Sequence, residues 1–180
     1  MARSNQEDCN VEEKLNQIYD VLNKLVGLHR KLLEVVRLER EHLIEAQPKA
    51  IETITQQKHF LIEEIHQIEI IRIKLSAEFA VENKKNIKEL TLKNLILAIQ
   101  GEYPKIAQQL QSVKNTLLIL SQRISEQNKE NLILIERSLE HIEAMKRNLI
   151  QVQDISIDTY SQQGQKISSH LARSSFSQEV

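Results

Sequence analysis

Apolar residues in the first quarter of the chain recur at alternating steps of four and three. Val11, Leu15, Ile18, Leu22, Leu25, Leu32, Val36 and Leu43 form one line, which His29 and Glu39 interrupt. This spacing is that of a coiled-coil seam. Asn10 followed by Glu13 has capping-box spacing and predicts a helix start near Val11. Val21, Leu28, Leu33 and Val35 widen the face beyond a two-helix contact, so a third helix is expected to pack there. After Gln47-Pro48, where proline suits a first helical turn, a second line runs through Ile51, Ile54, Leu61, Ile65, Ile68, Leu75 and Phe79. Lys58 and Arg72 break that line.

Folding the two runs about Pro48 as an antiparallel hairpin pairs positions whose numbers sum to about 97. Val36 then faces Leu61, Leu32 faces Ile65, and Ile18 faces Phe79. Glu39 faces Lys58, so each charge in the seam has its counter-ion in the same layer. Such a pair sets register more than it adds stability, because desolvation largely cancels the attraction. Arg72 shares its layer with Leu25 and is expected to reach an acid on another helix.

The polar segment Val81 to Ile87 predicts a helix end or loop. Leu90, Leu92, Leu95, Ile96, Leu97 and Ile99 then predict a short apolar helix that ends before Gly101 and plugs one end of the bundle. Pro104 opens the longest run, with Ile106, Leu110, Val113, Leu117, Leu120 and Ile124 on one stripe. It continues as Asn128, Leu132, Ile135, Leu139, Ile142 and Leu149, with a stutter of fours through Asn128. Helix one, at roughly 36 residues, spans about 54 Å, whereas the run from Pro104 to Val152 reaches about 73 Å. The last helix is therefore expected to overhang, leaving Leu139, Ile142 and Leu149 uncovered as a binding stripe. A shorter helix, a fold-back or a homodimer would cover the same stripe. From about Asp154 the composition turns to Ser and Gln, which predicts a flexible tail at 153–180 beside a flexible leader at 1–10 and a helical domain at 11–152.

The expected fold class is all-α: an elongated antiparallel helical bundle of long α-hairpin, short connecting helix, long C-terminal helix and flexible tail. Three Gly, two Pro and no Trp in 180 residues agree with long helices around a thin aliphatic core. A net charge of -1 gives no general attraction for nucleic acid or anionic lipid. The start lacks an apolar signal core and no apolar run approaches a membrane span, so a cytosolic chain without membrane insertion is expected. Cys9 stands alone, without a second thiol for a disulfide or a metal pair.

Two E-x-x-H tetrads, Glu39 to His42 and Glu63 to His66, have the spacing of di-iron bundles. In the hairpin register Glu63 opposes Glu34, so the tetrads cannot share a metal. His59, Glu63 and His66 form a ladder on one helix face, which is more often a solvated surface than a chelate. There is no Gly-rich phosphate loop and no Ser, His and acid grouping, so neither a cofactor nor catalysis is expected.

From Leu25 to Gly164 the chain resembles the FlgN family of flagellar export chaperones. The resemblance lies in LVGLHRKLLEVVRLEREHL, in QQKHFLIEEIHQIEIIR with Lys58 and Arg72, in NKENLILIERSLEHI, and in DTYSQQG with Tyr160 four residues before Gly164. It implies a cytosolic chaperone, without catalytic activity, that binds the hook-filament junction proteins FlgK and FlgL before secretion. By that resemblance Asn131, Leu132, Ile135, Leu139 and Ile142 would hold cargo, and Tyr160 would dock at the cytosolic domain of the export gate. Register control or solvation is the other role open to Asn128 and Asn131. The other function open to the pattern is a self-associating coiled-coil scaffold or adaptor.

Overall fold

The computed structural model describes the backbone of residues 2–82, 91–153, 159–160 and 166–167, and the side chains of 11–82 and 91–150. The element order is α1 (Ala2–Ile44), α2 (Pro48–Glu82), α3 (Leu92–Ile99), α4 (Pro104–Gln153), β1 (Thr159–Tyr160) and β2 (Lys166–Ile167). The fold is all-α apart from the small ladder, in which Thr159 pairs with Ile167 and Tyr160 with Lys166. Most of the polar segment before α3, Leu90, Gly164 and the tail residues Leu171 and Phe176 lie outside the described residues. The chain divides into two compact units, Met1–Leu134 and Ile135–Val180, and the boundary falls within α4.

α1 begins at Ala2, ahead of the capping box that predicted a start near Val11. Residues 2–10 hold neither Gly nor Pro, so nothing in them stops a helix extending back past Asn10. α1 ends in a left-handed cap. Gln47 donates its backbone N–H to the His42 carbonyl at 3.0 Å, and Ala46 between them has φ 52°. This is the Schellman arrangement, with alanine where glycine is usual. Both prolines are the first residues of their helices, Pro48 in α2 and Pro104 in α4, where the missing N–H costs nothing. Ala46→Gly is expected to raise stability by about 0.5–1 kcal/mol, since relief of the left-handed strain outweighs the added freedom of the unfolded chain. Urea denaturation checks this.

The predicted hairpin register holds at both ends. Lys58 Nζ lies 2.9 and 2.8 Å from the two carboxylate oxygens of Glu39, and Lys14 pairs with Glu82 near the other end. Ile18 and Phe79, placed opposite one another by that register, are both fully buried. The core joins Leu15, Leu22, Leu25, Leu32 and Val36 of α1 to Leu61 of α2 and to Leu110, Val113, Leu120 and Ile124 of α4. α4 is thus the third helix that the wide face of α1 called for.

Thr91 caps the start of α3, its hydroxyl accepting from the Asn94 N–H at 3.3 Å. Eight residues are too few for a helix to persist alone. Its buried Leu95, Ile96 and Ile99 stabilise it by about 1.5–3 kcal/mol each. His29, at a seam position, is half-buried and donates Nδ1–H to the Leu25 carbonyl at 2.8 Å. Arg72 is buried, and its guanidinium meets Glu69, three residues back on its own helix, with Nη2 2.6 Å from Oε1. One helical turn brings this acid within reach.

Candidate binding site

Three helices meet in a polar layer near the hairpin tip, and the layer is built around Glu39. Its side chain is 9% exposed and that of Lys58 21%, so neither charge is left to bulk water. Lys58 has three N–H donors. Two go to Glu39 and the third to Asn128 Oδ1 on α4, at 3.2 Å. Asn131, one turn further along α4, is 2% exposed. Its Nδ2 donates to the Val36 carbonyl and to Glu39 Oε2, both at 2.9 Å. Beside this layer Arg40 Nη1 pairs with Glu130 Oε2 at 2.6 Å. Here residue n of α1 meets about n + 90 to n + 95 of α4, and far down α1 Glu12 and Asn16 lie beside Pro104, Ile106 and Gln109 at a similar offset, so the two helices run parallel.

Asn131 therefore does not stand with the four apolar residues expected to share its role. A buried amide with both hydrogens bonded to α1 is closed to an incoming chain. Seam spacing alone pointed to the charge pair and left register control open for the two asparagines. That both complete the layer was missed. The available signal was the spacing on α4: Asn128 and Asn131 lie on the same stripe that Ile124 occupies one turn earlier.

Leu132 is exposed within the first unit. In the second unit, Ile135 is 36%, Leu139 55% and Ile142 60% exposed, and Met145 and Leu149 are open as well. Ile142 and Leu149 follow the buried Ile124 and Asn131 by eighteen residues, about five full turns, and so share their side of α4. Glu136, Glu140 and Glu143 and the basic Arg137, Lys146 and Arg147 accompany this apolar face, so it carries charges of both signs.

Tyr160 lies in β1, and its backbone pairs with Lys166. The histidine ladder of α2 is solvated: His59, Glu63 and His66 are exposed, and Glu63 accepts from Gln67 at 2.7 Å. Among the described residues no three His, Cys, Asp or Glu side chains are grouped to hold a metal ion, and no helix is long and apolar enough to cross a membrane.

No match was found among curated proteins or among solved structures. A model of the family described as FlgN protein matches residues 14–167, which takes in all four helices and the ladder, apart from the first turns of α1. The chain belongs to the FlgN family, a family of flagellar export chaperones.

Proposed function

We propose that the chain is a cytosolic chaperone of flagellar type III secretion. It holds hook-associated proteins of the FlgK and FlgL kind on the α4 face formed by Leu132, Ile135, Leu139 and Ile142, and delivers them to the cytosolic domain of the export gate. The observation that carries this reading is the exposure of Ile135, Leu139 and Ile142 on α4. An exposed apolar helix stripe is suited to the amphipathic terminal helix of a partner. Covering that helix would keep the cargo from self-assembly before export. The helical domain at 11–152 performs the holding, and the tail at 153–180 supplies Tyr160 for the gate. Nothing in this action requires a cofactor, a metal ion, nucleic acid or a catalysed reaction.

Mass-resolved chromatography of the full chain mixed with a purified hook-associated protein is expected to show a one-to-one complex. Tyr160→Ala should leave that complex intact and lose binding to the isolated gate domain. A stripe that pairs stably with its own copy and takes no hook-associated protein would make the protein a coiled-coil scaffold instead.

A further inference from the structure

Within the second unit the α4 stripe is not wholly apolar. Its line runs through Ile135, Leu139, Ile142 and Leu149, and Lys146 fills the gap in it, four residues after Ile142 and three before Leu149. Alternating steps of four and three mark a coiled-coil seam, so Lys146 holds a core position of the face proposed for cargo. Its side chain is exposed and forms no ion pair among the described residues. A helix that covers both Ile142 and Leu149 must pass over it.

The hairpin shows how this chain accommodates a charge in such a seam. Lys58 fills a seam position of α2, and Glu39 on the facing seam meets it at 2.9 and 2.8 Å. An ammonium enclosed by apolar neighbours without a counter-ion is costly. In the free chain Lys146 is hydrated, and a covering helix takes that water away. The edges of the stripe differ in charge as well. Glu136 and Glu143 each follow a seam residue by one position, on one edge, exposed and without an ion pair among the described residues. The opposite edge holds Ser138 and Met145 and carries no charge. Charges at such edge positions set partner choice between paired helices. We propose, resting on the chaperone reading of this face, that Lys146 selects the cargo: the helix held here has an Asp or Glu in its own apolar seam opposite Lys146, and basic side chains along the edge that meets Glu136 and Glu143. A wholly apolar helix would leave the ammonium dry and unpaired, and one with a base at that level would be repelled, so the same lysine also rejects wrong partners.

Isothermal titration of the full chain against a purified hook-associated protein provides the test. Lys146→Met keeps the aliphatic stem and removes the charge, and Kd should rise about 30-fold, the lower end for truncating one partner of an enclosed charge pair. Lys146→Glu should raise it by at least about a hundredfold. At so exposed a position the fold should survive, as circular dichroism would verify. Reversing the acids of the cargo's terminal helices to Lys, one at a time, should give one variant that the wild-type chain loses and the Lys146→Glu chain captures. Leu139→Glu separates the site from its charge. If it abolishes capture while both Lys146 variants bind within about threefold of wild type, the stripe holds cargo and the assignment of Lys146 is overturned. A set of cargo reversals in which none is rescued by Lys146→Glu overturns it too. Capture that survives Leu139→Glu, or no capture at all, overturns the site and the assignment together.

Discussion

A glutamate at Ile135 or at Leu139 is expected to abolish capture of a hook-associated protein and to leave thermal unfolding of the chain almost unchanged. Both side chains are exposed in the free chain, 36% and 55%, so a charge there meets water and folding feels little of it. Surface substitutions of this kind usually change stability by no more than about 0.5 kcal/mol, or roughly 1–2 °C in Tm for a chain of this length. In the complex the same carboxylate would face the apolar side of a cargo helix with no counter-ion. Its desolvation costs several kcal/mol, and each ~1.4 kcal/mol is tenfold in Kd, so a loss of at least a hundredfold is expected. Isothermal titration against a purified hook-associated protein reads it directly. Capture retained by both variants would remove the stripe as the cargo site. Asn131→Leu is the contrasting variant: it should lower stability through the polar layer, while the apolar residues of the stripe remain in place.

The hairpin was legible because its two most awkward residues had to solve each other's problem. An acid and a base on otherwise apolar seams leave few registers, and only one puts Glu39 beside Lys58; both ends of the hairpin keep it. The apolar character of α4 was equally plain, since stripe spacing depends on the helix alone. Which part of that stripe is covered is a tertiary matter. Asn131 and Leu132 are neighbours in sequence, yet one is buried and the other exposed, because about 100° of helix rotation separates them. For Arg72 a partner was sought across the bundle, and that search passed over Glu69, one turn away on the same helix, which it does meet. The turn hid its own cap, because Ala46 adopts a left-handed conformation for which glycine or asparagine is the usual sign.

Reversing Lys58 to Glu is expected to destabilise the bundle by about 3–5 kcal/mol, the usual cost of stranding a buried charge. The change puts a second carboxylate against Glu39, and Asn128 loses its Lys58 donor. For a chain of this length that is a fall of roughly 10 °C in Tm. With both side chains largely shielded from water, added salt should recover little of it. Exchanging the pair, Glu39→Lys with Lys58→Glu, should return most of the loss, because the two asparagine amides can rotate: Asn131 then offers oxygen where it offered hydrogen, and Asn128 hydrogen where it offered oxygen. The recovery would be incomplete: an Asn131 amide that turns its oxygen toward the new ammonium no longer donates to the Val36 carbonyl, which now takes one of its hydrogens. Thermal denaturation of the two single variants and the exchange gives the coupling energy, and an exchange that loses as much as the two single variants added together would show that the charges are not coupled. Replacing Glu39 and Lys58 together by leucine separates register from stability. Buried ion pairs often give way to apolar residues at little net cost, so the bundle should stay folded. The layer would then keep its packing and lose the only charge pair that ties α1 to α2 near the hairpin tip among the described residues, and with it the term that opposes sliding of one helix past the other.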